Sequence, residues 1–224
     1  MAKVSILLAA LLWSTLTWTQ EVPSADQWIG LFKEVQQHPL FKDLKVAYAK
    51  GPVVNVGDSP VGVMPRDGVD CVVVISEGDA TKLAQMMALT SSPETARAFL
   101  MTIAAHEFGH CFRIRSGNLS VALWRRGLAM AVGSPERQTF EKVISIEEAY
   151  ADAYAFAYVR DAQPRMYAAM FTAMHRLRRE PAFATPYYQV EPLYAQLGSR
   201  GLDDSLSLPM QVEAVMRESK FQLP

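Results

Sequence analysis

The chain has 224 residues, half of them hydrophobic, and a formal net charge of −1. This length and composition suffice for one sizeable hydrophobic core. The near-neutral charge gives no basic face of the kind that binds nucleic acid, which is therefore excluded as a partner. The arginine clusters at residues 125–126 and 176–179 are interpreted as solvated helix faces or helix C-termini.

The N-terminal residues have the pattern of a signal peptide. Lys3 precedes an apolar run over residues 4–13, and residues rich in Ser and Thr follow. The run is shorter than the roughly 20 residues that a membrane span needs. We therefore predict a signal peptide over residues 1–19 and export, either to a periplasm or as a secreted protein, with no stable membrane span after cleavage. An uncleaved N-terminal membrane anchor is the alternative.

The first predicted elements are a helix and two β segments. Residues 24–37 place their apolar side chains on one face, which predicts a helix. Residues 45–49 and 52–56 have a β-like composition. A further helix is predicted over residues 79–89.

A β-hairpin is predicted between these segments. The apolar runs at residues 61–64 and 69–76 flank an Asp-Gly pair at positions 67 and 68. An Asp-Gly pair between apolar runs is a strong turn signal. The β-branched run Val72–Ile75 is the clearest strand in the chain, as either an edge or an interior strand of the sheet.

Residues 93–115 are predicted to form one long helix. Ser92 suits the N-cap, Pro93 suits the first helical position, and Glu94 lies near the positive helix end. The residues that follow are good helix formers, and Gly117 is a suitable stop. Because the middle of this segment is apolar nearly all round, we expect it to be buried in the core.

This helix contains His106-Glu107-Phe108-Gly109-His110, the pattern H-E-x-x-H. Residues four apart share one face of a helix, so both histidines can bind one metal ion. Glu107 is rotated by about 100° from His106 and can take a proton from a water that the metal activates. Gly109 is unfavourable in a helix, and we expect it to leave room for a neighbouring backbone.

The third ligand is predicted in a helix over residues 146–161. Glu148 and Asp152 are four residues apart on one face. A carboxylate suits the third position of a zinc site, and the aspartate can accept a hydrogen bond from the far nitrogen of a ligating histidine. Two alternatives remain. Ser145 and Glu148 also form a capping box, and Glu147 is the ligand if the register shifts by one.

The other helices are predicted after the H-E-x-x-H motif. They span residues 119–131, 135–143 and 164–179, with a last helix near 209–219 in a less regular C-terminal region. The chain shows no internal repeat and no long low-complexity linker. We predict one α+β domain over residues 20–224, with the sheet first and the helices after it.

H-E-x-x-H followed by E-x-x-x-D resembles the gluzincin group of zinc metallopeptidases, the thermolysin-like zincins. The resemblance covers about fifty residues, from 103 to 155. It implies one Zn²⁺ ion per chain, bound by His106, His110 and Glu148. It also implies that Glu107 is the general base and that Asp152 orients His106.

The resemblance also implies a zincin-like fold. In that fold a small twisted mixed sheet has its edge strand over the cleft, a mostly helical C-terminal half follows, and two antiparallel helices carry the ligands. Val72–Ile75 would then be the edge strand that pairs with an extended peptide or protein substrate. An interior position for this strand is the alternative.

Cys71 and Cys111 are the two cysteines of the chain. An oxidising compartment permits one bridge between them. In a zincin the edge strand runs along the side of the catalytic glutamate, and Cys111 lies four residues after Glu107. A Cys71–Cys111 disulfide is therefore consistent with the resemblance, and two buried free thiols are the alternative.

The resemblance further implies a side chain that holds the oxyanion. By their order in the chain, His175, Tyr187 and Tyr188 are the candidates. Three alternatives to a zinc peptidase are retained: an inactive zincin-like binding protein, a zinc hydrolase of a non-peptide amide, and a chance motif without metal. The intact Glu107 weighs against a binding protein, because a structural zinc needs no general base.

Overall fold

The computed structural model describes residues 22–51, 59–76, 80–118, 126–127, 129–180, 183, 190–199 and 201–219. The fold of these residues is mixed α+β and mostly helical. The strands are β1 (Val46–Lys50), β2 (Val61–Arg66) and β3 (Val69–Ile75). The helices are α1 (Ala25–Gln36), α2 (Ala80–Met87), α3 (Pro93–Arg115), α4 (Pro135–Ala162), α5 (Tyr167–Arg179), α6 (Glu191–Ser199) and α7 (Leu208–Glu218), and a 3₁₀ turn (Pro164–Met166) precedes α5.

The three described strands form a small mixed sheet. The predicted hairpin is confirmed: β2 and β3 pair antiparallel around the turn at Gly68, whose φ of 82° suits glycine. β1 pairs with β3 in parallel, so the order is β1-β3-β2. The interpretation of Val72–Ile75 as an edge strand is wrong, because β3 is the middle strand. Its continuous β-branched run is buried on both faces, as an interior strand requires.

The motif helix α3 has the predicted bounds. The Ser92 side chain accepts a hydrogen bond from the backbone N–H of Thr95, and Pro93 occupies the first helical position. From Ala96 to Cys111 every residue except Arg97 is buried. Helix α3 is therefore the central helix of the core, as its nearly all-round apolar character predicted. It packs against the sheet on one side and against α4 on another.

Helix α4 corrects the predicted break between residues 143 and 146. The helix begins after Ser134, whose side chain accepts a hydrogen bond from the backbone N–H of Arg137 and so caps the helix. It continues without interruption to Ala162. Ser145 lies inside it, and its hydroxyl donates to the Glu141 carbonyl one turn earlier. The capping-box interpretation of Ser145 is therefore wrong, because a serine inside a helix can satisfy its hydroxyl on the preceding turn.

The remaining predictions have mixed outcomes. Helices predicted near 24–37, 79–89, 164–179 and 209–219 are present with small shifts of their ends, and α6 was not predicted. The predicted segment 52–56 and the signal peptide lie outside the described residues, as does most of 119–131. None of the described helices is long and apolar enough to span a membrane.

A disulfide joins the sheet to the motif helix. Cys71 of β3 and Cys111 of α3 are bridged, with their Cα atoms 5.3 Å apart, and both side chains are fully buried. Cys111 follows His110 directly, so the bridge ties the middle strand to the helix beside the second histidine.

Loss of this disulfide is expected to lower the free energy of unfolding by up to about 4 kcal/mol, the chain-entropy value for the 40-residue separation of the two cysteines. Urea unfolding of the wild type with and without reductant measures the change. A Cys71→Ala/Cys111→Ala variant should have the lower free energy of unfolding both with and without reductant, because it has no disulfide to reduce. Equal midpoints for oxidised and reduced wild type would contradict this expectation.

Candidate metal centre

Three side chains from α3 and α4 converge in the core. His106 Nε2 and His110 Nε2 lie 3.1 Å apart. Glu148 places Oε2 3.4 Å from His106 Nε2 and Oε1 3.5 Å from His110 Nε2. One donor atom from each residue lies within 4.8 Å of the others, so the three residues are close enough to hold a metal ion.

The electrostatics of this cluster favour a cation. Burial raises the pKa of Glu148, but the two histidines outweigh that effect and hold it well below its usual value. Burial alone would lower the pKa of His106, yet the carboxylates of Asp152 and Glu148 raise it to about 9. Glu148 Oε2 is buried and makes no hydrogen bond to any of the described residues, and Arg178 Nη2 lies 3.5 Å from it. A bound cation or a water would supply the direct contact that this oxygen lacks.

The close approach of α3 and α4 depends on Gly109. A Cβ added at this position would lie 2.7 Å from the Cα of Ala151, closer than real Cβ atoms come to backbone. The expectation that Gly109 leaves room for a neighbouring backbone is confirmed. The glycine lies directly before His110, and Ala151 lies three residues after Glu148, so this contact brings the two ligand-bearing segments together.

Glu107 lies beside the cluster without belonging to it. Its side chain is buried, with 6% of the residue exposed. Burial raises the pKa of this carboxyl, and the nearby His106 and His110 partly offset that rise. A carboxyl with a raised pKa next to a metal-binding cluster is suited to accept and release a proton.

Asp152 is the node of a buried network around His106. Its Oδ1 lies 2.8 Å from His106 Nδ1. Arg178 of α5 donates to both of its oxygens, and the Tyr194 hydroxyl of α6 donates to Oδ2 at 3.0 Å. Burial raises the pKa of Asp152, but Arg178 and His106 outweigh it and the pKa is lowered. In the tautomer that carries its proton on Nδ1, His106 donates to this carboxylate and presents Nε2 to a metal.

Comparison with protein-family models, with curated proteins and with solved structures gave no match.

Sequence reasoning missed two members of the Asp152 network. Arg178 was interpreted as part of a solvated arginine cluster, but only 8% of it is exposed and its guanidinium faces the site. Tyr194 belongs to α6, a helix without a predicted counterpart. The position of Arg178 on the apolar face of α5, four residues after Met174 and one after Leu177, is the signal that could have indicated burial.

Of the three residues predicted to hold an oxyanion, only His175 is among the described residues. His175 Nε2 lies 3.1 Å from Glu191 Oε2, and its ring stacks on Tyr194 at a centroid distance of 4.7 Å. In this position it supports the outer side of the Asp152 network. Tyr187 and Tyr188 lie outside the described residues, so their role stays a prediction.

An Asp152→Asn variant should lose both stability and metal affinity. The change removes the carboxylate that pairs with buried Arg178, and breaking a buried pair typically costs about 3–5 kcal/mol. It also weakens the acceptor of His106, which should lower metal affinity by about 10–100-fold. Tyr194→Phe is the matched control, since it removes one hydrogen bond worth about 1 kcal/mol. Urea unfolding of the metal-free protein and a zinc competition assay measure the two losses. Unchanged values for Asp152→Asn would contradict the assigned network.

Proposed function

We propose that this protein is a zinc-dependent peptidase of the gluzincin type, with Glu107 as the general base. The observation that carries the proposal is the buried Glu107 carboxyl beside a convergent His106, His110 and Glu148 cluster. A structural metal site needs no such acid, whereas a hydrolytic one does.

The choice of zinc rests on the donor set and its spacing. Two imidazoles and one carboxylate are a common protein ligand set of catalytic zinc, in which the fourth position is left for water. In a tetrahedral site with bonds of about 2.0–2.1 Å, neighbouring donor atoms are about 3.3 Å apart. The separations of 3.1, 3.4 and 3.5 Å among the three side chains fit that geometry.

Different residues of the chain have different roles in the proposed hydrolysis. Zinc, when bound, supplies a Lewis acid that acidifies water and polarises a scissile carbonyl. Glu107 accepts the proton of the attacking water and delivers it to the leaving nitrogen. Asp152 holds the proton on His106 Nδ1 and keeps the ring in the orientation that presents Nε2.

Export of the protein belongs to the same proposal. The Cys71–Cys111 disulfide supports it, since such bridges persist in oxidising compartments and are rare in the cytosol. The substrate class is a peptide or protein that reaches the same compartment.

The test is cleavage of a mixed peptide library by the zinc-loaded protein, followed by mass spectrometry. We expect cleavage that a chelator abolishes and added zinc restores. Zinc binding without cleavage of any peptide would overturn the peptidase proposal. That result would favour a hydrolase of a non-peptide amide or an inactive binding protein.

A further inference from the structure

Two adjacent acids of α4 have different partners. Glu148 faces the two histidines, whereas Glu147 accepts hydrogen bonds from Arg113 Nε and Nη2, each 2.7 Å long. The side chains of Glu147 and Arg113 are 5% and 14% exposed. This is a bidentate ion pair between α4 and α3, largely shielded from water. The planar guanidinium donates two parallel hydrogen bonds to the two oxygens of one carboxylate.

Arg113 is itself held in a defined position. It lies three residues after His110, so both project from the same side of α3. Its guanidinium carbon is 3.9 Å from the centroid of the Tyr150 ring. The Tyr150 hydroxyl donates to Glu213 Oε2 of α7 at 3.2 Å. The arginine is therefore constrained by stacking on Tyr150 and by its two hydrogen bonds to Glu147.

The location of the pair bears on which acid reaches the histidines. Consecutive residues of a helix are about 100° apart. A rotation of α4 by that angle would exchange Glu147 and Glu148 at the cluster. The contact of Gly109 with Ala151 sets how close the two helices come, but a small glycine contact does little to fix rotation. The bond between Asp152 and His106 constrains this rotation one turn after Glu148. The ion pair adds a second constraint one residue before Glu148, because the guanidinium engages Glu147 at both oxygens.

We infer that Arg113 is a positioning residue of the metal centre, which holds Glu147 aside and thereby presents Glu148 as the third ligand. The inference rests on the metal-binding part of the proposed function and not on the peptidase reaction. It assigns a role to the adjacent acid that the H-E-x-x-H and E-x-x-x-D patterns do not contain.

The test compares zinc affinity and stability in two conservative variants, Arg113→Lys and Glu147→Gln. Lysine keeps the charge but loses the fork, and glutamine keeps the shape but loses the charge. We expect each variant to bind zinc about tenfold more weakly in competition with a chromophoric chelator. The visible spectrum of the Co²⁺-substituted protein should also change, because the geometry of the Glu148 carboxylate at the metal is altered.

Glu141→Gln provides the matched control. Glu141 pairs with the buried Arg137 at 3.0 Å within α4, about two turns before the ligand. Its loss should lower stability while leaving zinc affinity and the Co²⁺ spectrum unchanged.

Three results would overturn the inference. Unchanged zinc affinity in Arg113→Lys and Glu147→Gln would assign Arg113 a purely structural role, and an equal loss in Glu141→Gln would show general destabilisation. A wild-type protein that binds no zinc would overturn the proposed function as well. A protein that binds zinc but cleaves no peptide would leave the positioning role intact.

Discussion

Under the proposed peptidase mechanism, replacement of Glu107 by glutamine is expected to lower the rate of peptide hydrolysis sharply and to leave zinc binding intact. Glutamine has the shape of glutamate but accepts no proton at neutral pH. General acid–base catalysis typically contributes about 10²–10⁴-fold, so kcat should fall by about 10³. Zinc should stay bound, because the convergent cluster consists of His106, His110 and Glu148 and does not include Glu107.

The comparison needs an acid of the same helix that is remote from the site. Glu94 lies in the exposed first turn of α3. Glu94→Gln should alter stability by less than about 1 kcal/mol, through the helix dipole alone, and should leave kcat unchanged. Full activity in Glu107→Gln would remove Glu107 from the mechanism. Loss of zinc from this variant would instead show that Glu107 holds the metal site together.

Gly109→Ala is expected to destabilise the protein and to weaken zinc binding in the same variant. The new methyl group would meet the Ala151 Cα at 2.7 Å and the Tyr154 Cβ at 3.1 Å. Backbone cannot give way as a flexible side chain can, so α3 and α4 must separate. Overpacking of this kind costs about 1–3 kcal/mol, which exceeds the gain of about 1 kcal/mol from replacing a helical glycine. Because the neighbouring residue is His110, the same displacement should move a ligand and raise the Kd for zinc.

Gly30→Ala is the control, a glycine-to-alanine change within another helix for which we expect the opposite change in stability. Gly30 lies on the exposed face of helix α1, and an added Cβ would meet no atom within 4 Å. The only remaining effect is that alanine has a higher helix propensity than glycine. The free energy of unfolding should therefore rise by about 0.5–1 kcal/mol. Urea unfolding and zinc competition measure both variants. Equal stabilisation by the two substitutions would contradict the close helix contact at Gly109.

Much of the fold and of the candidate site could be predicted from local patterns. The bounds of α3 followed from a capping serine and a first-turn proline at its start and a long run of helix formers without proline. The β2–β3 hairpin followed from Asp67-Gly68. The convergence of the two histidines with Glu148 depended on spacing along two helices, and the structure brings these residues together as expected. For the helix and the hairpin the deciding information lies within a few residues of the chain, whereas the pairing of the two ligand-bearing helices came from the resemblance to gluzincins.

The failures concern properties that tertiary packing decides. Local propensity could not show that α4 passes through Ser145 without a break, because the serine hydroxyl is satisfied by a carbonyl of the same helix. The middle position of β3 depends on β1, which pairs with it across 25 residues of sequence. The burial of Arg178 depends on Asp152, which a composition-based interpretation of an arginine cluster does not consider.

Zinc stoichiometry and affinity of the wild type and of His110→Ala test the central claim most directly. Titration of the metal-free proteins against a competing chelator gives both quantities. The proposed site predicts one zinc per wild-type chain and an affinity that falls by several orders of magnitude in His110→Ala. No zinc in the wild type, or the same affinity in both proteins, would contradict the metal centre and leave the H-E-x-x-H motif as part of a core helix.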